Sequence, residues 1–531
     1  MRNTSLLCLA FLMIACTDSD EESKFTGTET AKKLCDDSYC ESVIWQVEDF
    51  YLTPIDINLN VVDSDGNIAS TNTLLVKFKD DVSISGIEIV LGIVDAKISA
   101  FIPDLNIYEL KFDCNSIEEI EQKIDTLLAN YNVELAEKNY AVQLESLDIE
   151  GKDDAGLWGF EKIKLAQAYD FIEQNGITLH PIKIADLDNG FDLNHQEFAG
   201  LDVEKYDFAD TDNNVYYSDG HGTATAGIIF AQNNGTGING IAYNADFLAY
   251  KIFPDTGENH SLIRTLVSAI VMATKRGASV INYSGNTLSA NNFSLGMLNL
   301  AVVYANKHGV VIVCSAGNTF IDATNHYPSA YPEVISVGAT YYDQYGLENR
   351  TTFSNFSQND DPNILTLAAP GKDLRLLGLD NSYSIGEGTS FASPMVAGLA
   401  GLLKEIRPEL NPDEVRRIMY ESATEILVTY PDGVFHYWRR INVLEAVKKA
   451  THEMDLPNHG IGKPCSQNSD CDFDLPCLVG TCTEACFEEK DRGQDLGVTC
   501  DNCNLFSECP VGTTCKSFDQ PYGRMPLRLC L

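Results

Sequence analysis

The first part of the chain combines two periodicities of apolar residues, which distinguish predicted strands from predicted helices. Three segments have the composition and alternation of strands: residues 73–78, 107–112 and 133–140. Ser116 and Glu119 have the spacing of a capping box before apolar residues at helical spacing, which predicts a helix. The apolar run 87–93 fits either a strand or a buried helix. Residues 73–150 are therefore predicted to form a small α+β unit.

Residues 151–452 repeat an alternation of strand and helix patterns. The predicted strands are residues 182–185, 247–253, 279–283, 310–314 and 334–337. The predicted helices follow His221 or cover residues 262–275 and 295–308. Apolar strands separated by helices are typical of a mostly parallel sheet with helices on both faces, so we expect a three-layer α/β fold.

Both ends of the chain differ from this central domain. Residues 17–72 are polar and irregular, and Cys35 lies close enough in sequence to Cys40 to pair with it. Residues 453–464 contain Pro and Gly, as linkers do. Ten of the 16 cysteines lie in residues 465–531, which in an exported chain predicts a small disulfide-rich domain. A zinc-like Cys-x-x-Cys spacing in this tail leaves metal binding as the alternative.

Residues 1–16 look like an export signal. Arg2 gives a positive start, and the apolar run 6–15 is too short to cross a bilayer as a helix. The sequence before Cys16 resembles a bacterial lipoprotein signal, in which cleavage precedes the cysteine and the cysteine carries the lipid. An ordinary signal peptide with an incidental Cys16 is the alternative. In both cases we expect an exported protein, either a cell-envelope lipoprotein or a secreted one.

The chain is strongly acidic. Its formal net charge is -40, from 77 Asp and Glu against 37 Lys and Arg. Nucleic acid and anionic lipid both need clustered cations, so we expect neither as a partner. We expect a membrane contact only through a lipid on Cys16.

Three short motifs of the central domain supply an acid, a base and a nucleophile. They contain Asp188, His221 and Ser390, in the sequences IADLDNG, DGHGT and GTSFASP. A serine hydroxyl becomes a strong nucleophile only when an imidazole removes its proton, and a carboxylate must orient that imidazole. Asp186 lies two residues before Asp188 on the same face of its strand, so it is a rival for the acid.

These motifs, in the chain order Asp, His, Ser, resemble the active-site signatures of the subtilisin-like serine proteases, the subtilases. The resemblance implies an endopeptidase that needs no cofactor for catalysis and hydrolyses proteins or peptides through an acyl-enzyme. Ser390 would be the nucleophile, His221 the general base and Asp188 the residue that orients it. Residues 73–150 would be a pro-segment that inhibits the enzyme and is removed by autoprocessing between residues 141 and 157.

The resemblance extends to residues around the substrate. Asn318, in the sequence CSAGN, matches the family's side-chain donor to the tetrahedral intermediate, beside the backbone N–H of Ser390. An extended peptide would pair with the backbone of the substrate-binding residues that the resemblance implies, which are Ser284, Gly285, Ser315, Ala316 and Gly317. The small residues at 315–317 favour a large apolar substrate side chain.

Three positions depart from the family's pattern. Asn189 follows the acid where Ser or Thr is usual, Ala224 stands where a second His is common, and Asn286 replaces a Gly. None of these changes removes a catalytic group, so we expect them to affect the rate and one subsite rather than the chemistry. Cys314 is expected to be a buried free thiol.

A loop at residues 231–240 resembles the family's calcium-binding loop. The ligands that the resemblance implies for a structural Ca²⁺ are Glu197, Gln232, Asn234, Thr236 and Ile238, the last through its backbone. Glu197 stands where Asp is usual, which weakens the match. A Gly- and Asn-rich turn without metal is the alternative.

Two other functions stay open at this point. One is an inactive binding module that acts through the Cys-rich tail, and the other is an inhibitor-like or adhesive tail beside an active protease. The joint presence of Asp188, His221, Asn318 and Ser390 disfavours an inactive scaffold.

Overall fold

The structure is a computed structural model. It describes residues 33–35, 39–41, 45–47, 50–55, 60–64, 66–144, 149–150, 156–217, 219–255, 260–288, 295–342, 346–358, 360–430, 433–455, 477–478, 481–482, 515–518 and 527–530. The strands are β1 Trp45–Val47, β2 Phe50–Leu52, β3 Asn60–Val62, β4 Ile68–Phe78, β5 Lys97–Ile102, β6 Ile107–Lys111, β7 Val133–Leu144, β8 Ile149–Glu150, β9 Lys183–Asp188, β10 Val203–Asp207, β11 Asp246–Lys251, β12 His260–Leu262, β13 Ala278–Tyr283, β14 Gly285–Leu288, β15 Val311–Ser315, β16 His326–Tyr327, β17 Val334–Tyr342, β18 Glu348–Arg350, β19 Leu367–Pro370, β20 Leu374–Leu377, β21 Tyr383–Gly386, β22 Thr424–Thr429, β23 Phe435–Arg440, β24 Cys477–Leu478, β25 Thr481–Cys482, β26 Cys515–Phe518 and β27 Leu527–Cys530. The helices are α1 Ile84–Val94, α2 Ile117–Leu128, α3 Trp158–Lys162, α4 Leu165–Gln174, α5 His221–Phe230, α6 Ile263–Lys275, α7 Gly296–Lys307, α8 Thr389–Ile406, α9 Pro412–Ser422 and α10 Val443–Asp455.

The first sheet is antiparallel, and the strands before the central domain follow the order β1-β2-β5-β6-β4-β7. The three predicted strands are β4, β6 and β7, and the predicted helix is α2. The ambiguous run 87–93 belongs to helix α1, which buries Ile87, Val90 and Leu91. Strands β1–β3 lie in residues 17–72, although we expected that segment to be irregular. The sequence did not predict these strands because three residues are too few to show an alternation of apolar and polar positions.

Helix α2 begins where the sequence predicted, but its cap differs in one bond. Oγ of Ser116 accepts a hydrogen bond from N of Glu119 at 3.3 Å, as expected. The carboxylate of Glu119 instead accepts from N of Asn115 at 3.0 Å, one residue before the expected Ser116. Glu119 therefore satisfies a backbone donor just outside the helix, and the reciprocal bond of a capping box is not formed.

The second sheet confirms the expected α/β architecture. Its strand order is β10-β11-β9-β13-β15-β17-β19-β23-β22, and all neighbours from β10 to β23 are parallel. Helices α4, α5, α8, α9 and α10 contribute to the core on one face, and α6 and α7 to the core on the other. Strand β9 buries Ile184 on the first side and Leu187 on the second, which explains why its apolar run does not alternate.

Strand β7 connects the two parts of the molecule. Its C-terminal end pairs antiparallel with β12 and with β14 of the central domain. Gln143 lies opposite both His260 and Asn286, and Leu144 lies opposite Gly285. An extended segment that precedes the central domain in sequence therefore lies between two of its strands.

The described cysteines include one disulfide pair and two free thiols. Cys35 and Cys40 form the expected disulfide, and within the described residues Cys114 and Cys314 are buried free thiols. Within those same residues, no helix has the length and apolar character needed to cross a membrane. The export signal, the linker 453–464 beyond the end of α10 and most of the Cys-rich tail lie outside the described residues. In the tail, β24 pairs with β25 and β26 with β27.

Candidate active site

Three elements bring the predicted triad to one edge of the sheet. Asp188 is the last residue of β9, His221 the first of α5 and Ser390 the second of α8. Helices α5 and α8 pack against each other, and α5 also packs against β9. All three side chains are buried. The carboxyl ends of parallel strands and the N-termini of the helices meet at this edge, which is where α/β folds commonly place their sites.

A hydrogen bond joins the acid to the base. Nδ1 of His221 lies 2.8 Å from Oδ1 and 3.0 Å from Oδ2 of Asp188. N of Asn189 donates to Oδ1 of Asp188 at 2.7 Å, and Oγ1 of Thr225 lies 3.2 Å from Oδ2. The carboxylate is thus held in place and favours the tautomer with the proton on Nδ1, which leaves Nε2 as the basic atom.

The surroundings of His221 raise its pKa. Burial of the ring lowers the pKa, but the charge of Asp188 and the hydrogen bond to it act in the opposite direction. The charge of Asp219 raises it further, as the charge of Asp186 does whenever that carboxyl group is ionised, and the net result is a pKa above the usual value. The neutral imidazole that can accept a proton therefore forms on the alkaline side of that usual value.

Ser390 is held by the backbone that follows β13. Its Oγ donates to O of Ser284 at 3.4 Å, and Oγ of Ser284 donates to O of Ser390 at 2.9 Å. Phe391, the next residue, contacts the ring of His221 at 5.6 Å between centroids. Within the described part of the chain, Nε2 of His221 is buried without a hydrogen-bond partner. Catalytic hydrogen bonds are often long before substrate binds, so this acceptor is suited to the serine proton.

Asn318 and Ser390 border a small space in front of the nucleophile. Oδ1 of Asn318 accepts from N and from Oγ1 of Thr389, each at 2.9 Å. A Cβ on Gly388 would lie 3.5 Å from Nδ2 of Asn318 and 3.6 Å from N of Ser390. Two nitrogen atoms that carry protons therefore lie near one point that the glycine leaves unoccupied, and donors placed in this way can stabilise an oxyanion.

The two departures nearest the triad have structural explanations. Nδ2 of Asn189 donates to Oδ1 of Asp219 at 3.1 Å, and its Oδ1 accepts from N of Gly222 at 3.3 Å. Asn189 therefore ties the end of β9 to the first turn of α5. Ala224 is fully buried in the core beneath that turn.

The rival acid Asp186 is not the carboxylate bonded to His221. Its Oδ1 accepts from Nδ2 of Asn282 at 2.8 Å, and its Oδ2 lies 2.9 Å from Oγ1 of Thr225. Neither Thr225 nor Asn282 was predicted from the sequence to have a role. Two signals pointed to them: a threonine one helical turn after His221, and an asparagine inside an apolar strand.

The predicted substrate-binding residues Ser284 and Gly285 lie beside the nucleophile. Gly285 begins β14, the strand that pairs with Leu144, and Asn286 is fully buried opposite Gln143. The strand predicted to bind an extended peptide therefore already pairs with an extended segment of this chain.

The other predicted wall of the substrate site contains Ser315, Ala316 and Gly317. Ser315 and Ala316 are buried at the end of β15. A Cβ on Gly317 would lie 2.2 Å from Nδ2 of Asn355 and 2.4 Å from Nε2 of His326. Two polar side chains therefore pack against the small residues, a feature that the local sequence did not predict.

The loop predicted to bind calcium is closed by hydrogen bonds. Oε1 of Glu197 accepts from the hydroxyl of Tyr383, and Oε2 accepts from Nδ2 of Asn234 at 3.0 Å. Oδ1 of Asn234 accepts from N and Oγ1 of Thr236 at 2.9 and 2.6 Å. Each oxygen of Glu197 thus accepts a hydrogen bond from a hydroxyl or an amide N–H, so a cation at this carboxylate would have to displace these donors.

The remaining predicted ligands also have other contacts. Nε2 of Gln232 donates to O of Phe230 and O of Tyr243, and Ile238 is buried in the core. Across the ranges that the structure describes, no three His, Cys, Asp or Glu side chains form a group that could hold a metal.

Comparison with known proteins agrees with this geometry. The model of the subtilase family matches residues 86–459, more than half of the chain. A thermophilic serine proteinase from Bacillus sp. (strain AK1) is 32% identical over 375 residues, which are 70% of this chain and 86% of the relative. Thermitase from Thermoactinomyces vulgaris is 34% identical over 295 residues, 55% of this chain and 95% of that protein.

A solved structure supports the fold. Fervidolysin from Fervidobacterium pennivorans superposes with a TM-score of 0.59 at 23% identity, over 77% of this chain and 65% of fervidolysin. At 23% identity this likeness shows the fold alone. The evidence for a serine protease comes from the family match and from the two relatives. The chain belongs to the subtilase family and is a serine endopeptidase.

Proposed function

We propose that Asp188, His221 and Ser390 hydrolyse peptide bonds of protein substrates through an acyl-enzyme, with Asn318 in the oxyanion hole. The observation that carries this proposal is the bond from Nδ1 of His221 to Asp188. It leaves Nε2 as the acceptor, and within the described residues this atom has no hydrogen-bond partner.

Each step of the reaction uses an atom already described. Oγ of Ser390 attacks the substrate carbonyl carbon while Nε2 of His221 takes its proton, and Asp188 stabilises the charged ring. The oxyanion accepts hydrogen bonds from Nδ2 of Asn318 and N of Ser390. His221 then gives the proton to the leaving amine, and water releases the acyl group by the same sequence of transfers.

Residues 73–150 act in this proposal as an intramolecular inhibitor. Strand β7 occupies the place between β12 and β14 where an extended substrate would pair. Glu137 supports this docking, because its carboxylate accepts hydrogen bonds from N of Gly296 and N of Met297, both at 3.1 Å. These donors form the N-terminus of α7, where a negative charge is favourable.

Autoprocessing is proposed between Leu144 and Ile149. Leu144 lies opposite Gly285 on the substrate strand, and Ile149 lies opposite Gly386 on β21, just before the helix of the nucleophile. The chain is therefore anchored on both sides of this short stretch, inside the wider interval of residues 141–157.

We further propose that the protein is exported, either with a lipid on Cys16 or as a secreted enzyme. The Cys35–Cys40 disulfide supports an oxidising compartment. Calcium binding by the loop around Asn234 stays a prediction, and it would require Tyr383 to give up its bond to Glu197.

The test compares purified precursor with its Ser390→Ala form by gel and N-terminal sequencing over time, with casein added. Ser268→Ala is the matched control, because Ser268 is a fully buried serine on α6 outside the site. We expect wild type and Ser268→Ala to cut themselves between residues 144 and 149 and to degrade casein. Self-cleavage by Ser390→Ala, or an intact and folded wild type, would contradict the proposal and favour the binding module.

A further inference from the structure

Asp186 is a second buried carboxyl group beside the acid of the triad, and the mechanism above does not use it. It is fully buried and lies two residues before Asp188 on β9, so both side chains point to the same side of the strand. Burying one charged carboxylate is costly, and two negative carboxylates side by side cost more. One proton shared within this pair would remove the second charge.

A single hydroxyl group lies between the two carboxyl groups. Oγ1 of Thr225 is 2.9 Å from Oδ2 of Asp186, 3.2 Å from Oδ2 of Asp188 and 3.0 Å from O of Gly222. A hydroxyl group has one proton to donate and can accept further bonds. A proton on Oδ2 of Asp186 lets that carboxyl donate to Thr225, which leaves the Thr225 proton to be shared between Oδ2 of Asp188 and O of Gly222.

We propose that Asp186 is a positioning residue that keeps a proton against Thr225, so that the Thr225 hydroxyl donates to Asp188 and fixes the carboxylate that orients His221. The proposal rests on the catalytic roles proposed above for Asp188 and His221. It deepens that function by adding a residue that acts through the acid rather than on the substrate.

The other carboxyl oxygen of Asp186, Oδ1, connects this residue to α8, the helix that carries Ser390. Nδ2 of Asn282 donates to Oδ1 of Asp186 at 2.8 Å, and Oδ1 of Asn282 accepts from Oγ of Ser393 at 2.7 Å. The same Nδ2 lies 3.2 Å from Oγ of Ser284, whose hydroxyl bonds to Ser390. One polar network therefore spans β9, β13, α5 and α8 beneath the triad.

The groups around Asp186 favour its neutral form near pH 7. Burial first, and then the charge of Asp188, raise the pKa of Asp186, while the bonds from Asn282 and Thr225 and the charge of His221 lower it, and the result is about 8. On the other elements packed against it, Ser393 of α8 and Ala249 of β11 are uncharged, and Lys251 of β11 binds Asp207 and Asp210.

Loss of the Asp186 proton would change the site in two ways. The Thr225 hydroxyl would turn to the charged Asp186, so Asp188 would lose a donor. The new negative charge would also raise the pKa of His221, which returns part of the base to its protonated form. We therefore expect kcat/KM to rise as His221 loses its proton and to fall again above about pH 8.

The test measures kcat/KM from pH 5 to 10 for the mature wild type, Asp186→Asn and Glu405→Gln, each normalised at pH 7. Asn at 186 keeps the shape and can donate to Thr225 at every pH. Glu405 is the matched control, because it is a buried carboxyl whose pKa burial raises to about 8. It lies on α8 about 22 Å along the helix axis from Ser390.

We expect wild type and Glu405→Gln to lose about fivefold or more on the alkaline side, and Asp186→Asn to stay level there. Identical alkaline limbs in wild type and Asp186→Asn would overturn the proposal. A shift of the acid limb of Asp186→Asn to lower pH would also overturn it, because Asp186 would then be charged while His221 titrates.

A second measurement does not need turnover. The NMR signal of the Nδ1 proton of His221 is followed against pH in the Ser390→Ala protein, with and without Asp186→Asn. We expect a second titration step near pH 8 only where Asp186 is present, and its absence would contradict the proposal. An inactive wild type that still shows this step would count against the proposed function and not against the role of Asp186.

Discussion

Asp188 and Glu197 are both carboxylates that the sequence marked as functional, and their surroundings differ. Asp188 accepts a hydrogen bond from His221, whose other ring nitrogen has no partner among the described residues. Glu197 accepts hydrogen bonds from the hydroxyl group of Tyr383 and the amide group of Asn234, and neither donor group ionises near neutral pH. The base His221 therefore keeps one ring nitrogen available for the serine proton, whereas both carboxylate oxygens of Glu197 already accept hydrogen bonds.

The largest effect that separates the two regions should come from the nucleophile. We expect Ser390→Ala to lower kcat on a chromogenic peptide by about 10⁶, because no other hydroxyl is activated by His221. The variant is cut in trans by another protease before the assay, and Glu197→Gln serves as the comparison from the loop. A fall in kcat of less than about 10² in Ser390→Ala would contradict the distinction between the triad and the loop around Glu197.

The oxyanion donor should give the next largest effect. Asn318→Ala removes Nδ2 and leaves only N of Ser390 to bind the oxyanion, so we expect kcat to fall by about 10²–10³. KM should change little, because the lost bond forms mainly in the transition state. Steady-state kinetics on the same peptide check this split, and a change confined to KM would assign Asn318 to substrate binding.

The pH dependence of the free energy of unfolding should test whether Asp186, the carboxyl group beside the acid Asp188, is protonated in the folded state. A carboxyl whose pKa is about 3.9 unfolded and about 8 folded binds its proton more tightly in the folded state. Its stabilising effect is full below pH 4 and is lost as the pH rises towards the folded pKa, so the free energy of unfolding falls with pH over that interval. Urea titrations of Ser390→Ala with and without Asp186→Asn measure this slope. Equal slopes would mean that Asp186 is charged when folded.

The closed loop should depend on Tyr383. Tyr383→Phe leaves Glu197 without one of its two donors, so we expect the free energy of unfolding to fall by about 1–2 kcal/mol. Urea unfolding in the Ser390→Ala background measures the loss. A variant as stable as its parent would show that the hydroxyl contributes nothing to the loop.

The smallest effect should come from calcium. Because both oxygens of Glu197 already accept hydrogen bonds, we expect millimolar Ca²⁺ to raise the free energy of unfolding by less than about 1 kcal/mol. Thermal unfolding with Ca²⁺ and with a chelator measures the difference. A large rise in Tm would support the calcium site that the resemblance implied.

Local patterns predicted most of the fold and the motifs that contain the proposed catalytic residues. Continuous apolar runs predicted the parallel strands, and His221 and Ser390 stand in short motifs at helix starts, where chain order and spacing carry the information. The helix at Ser116 was predicted from its cap, although the partner of Glu119 moved by one residue. These features depend on residues close together in sequence.

Contacts between distant segments account for what the sequence did not predict. Tyr383 binds Glu197 across 186 positions of the chain, and Asn282 binds Asp186 across 96. His326, at the start of β16, and Asn355 pack against Gly317 from segments that are separate in sequence. Such pairs leave no period or motif, because each member is an ordinary polar residue until the fold brings it to its partner.

Covalent labelling of the mature enzyme with a fluorophosphonate, followed by peptide mapping, tests the central claim most directly. The reagent reacts with a serine only where a base removes the hydroxyl proton and donors receive the new oxyanion. The account predicts one adduct, on Ser390, that disappears in His221→Ala and persists in Glu197→Gln. An adduct on another residue, or one on Ser390 that survives the loss of His221, would contradict it.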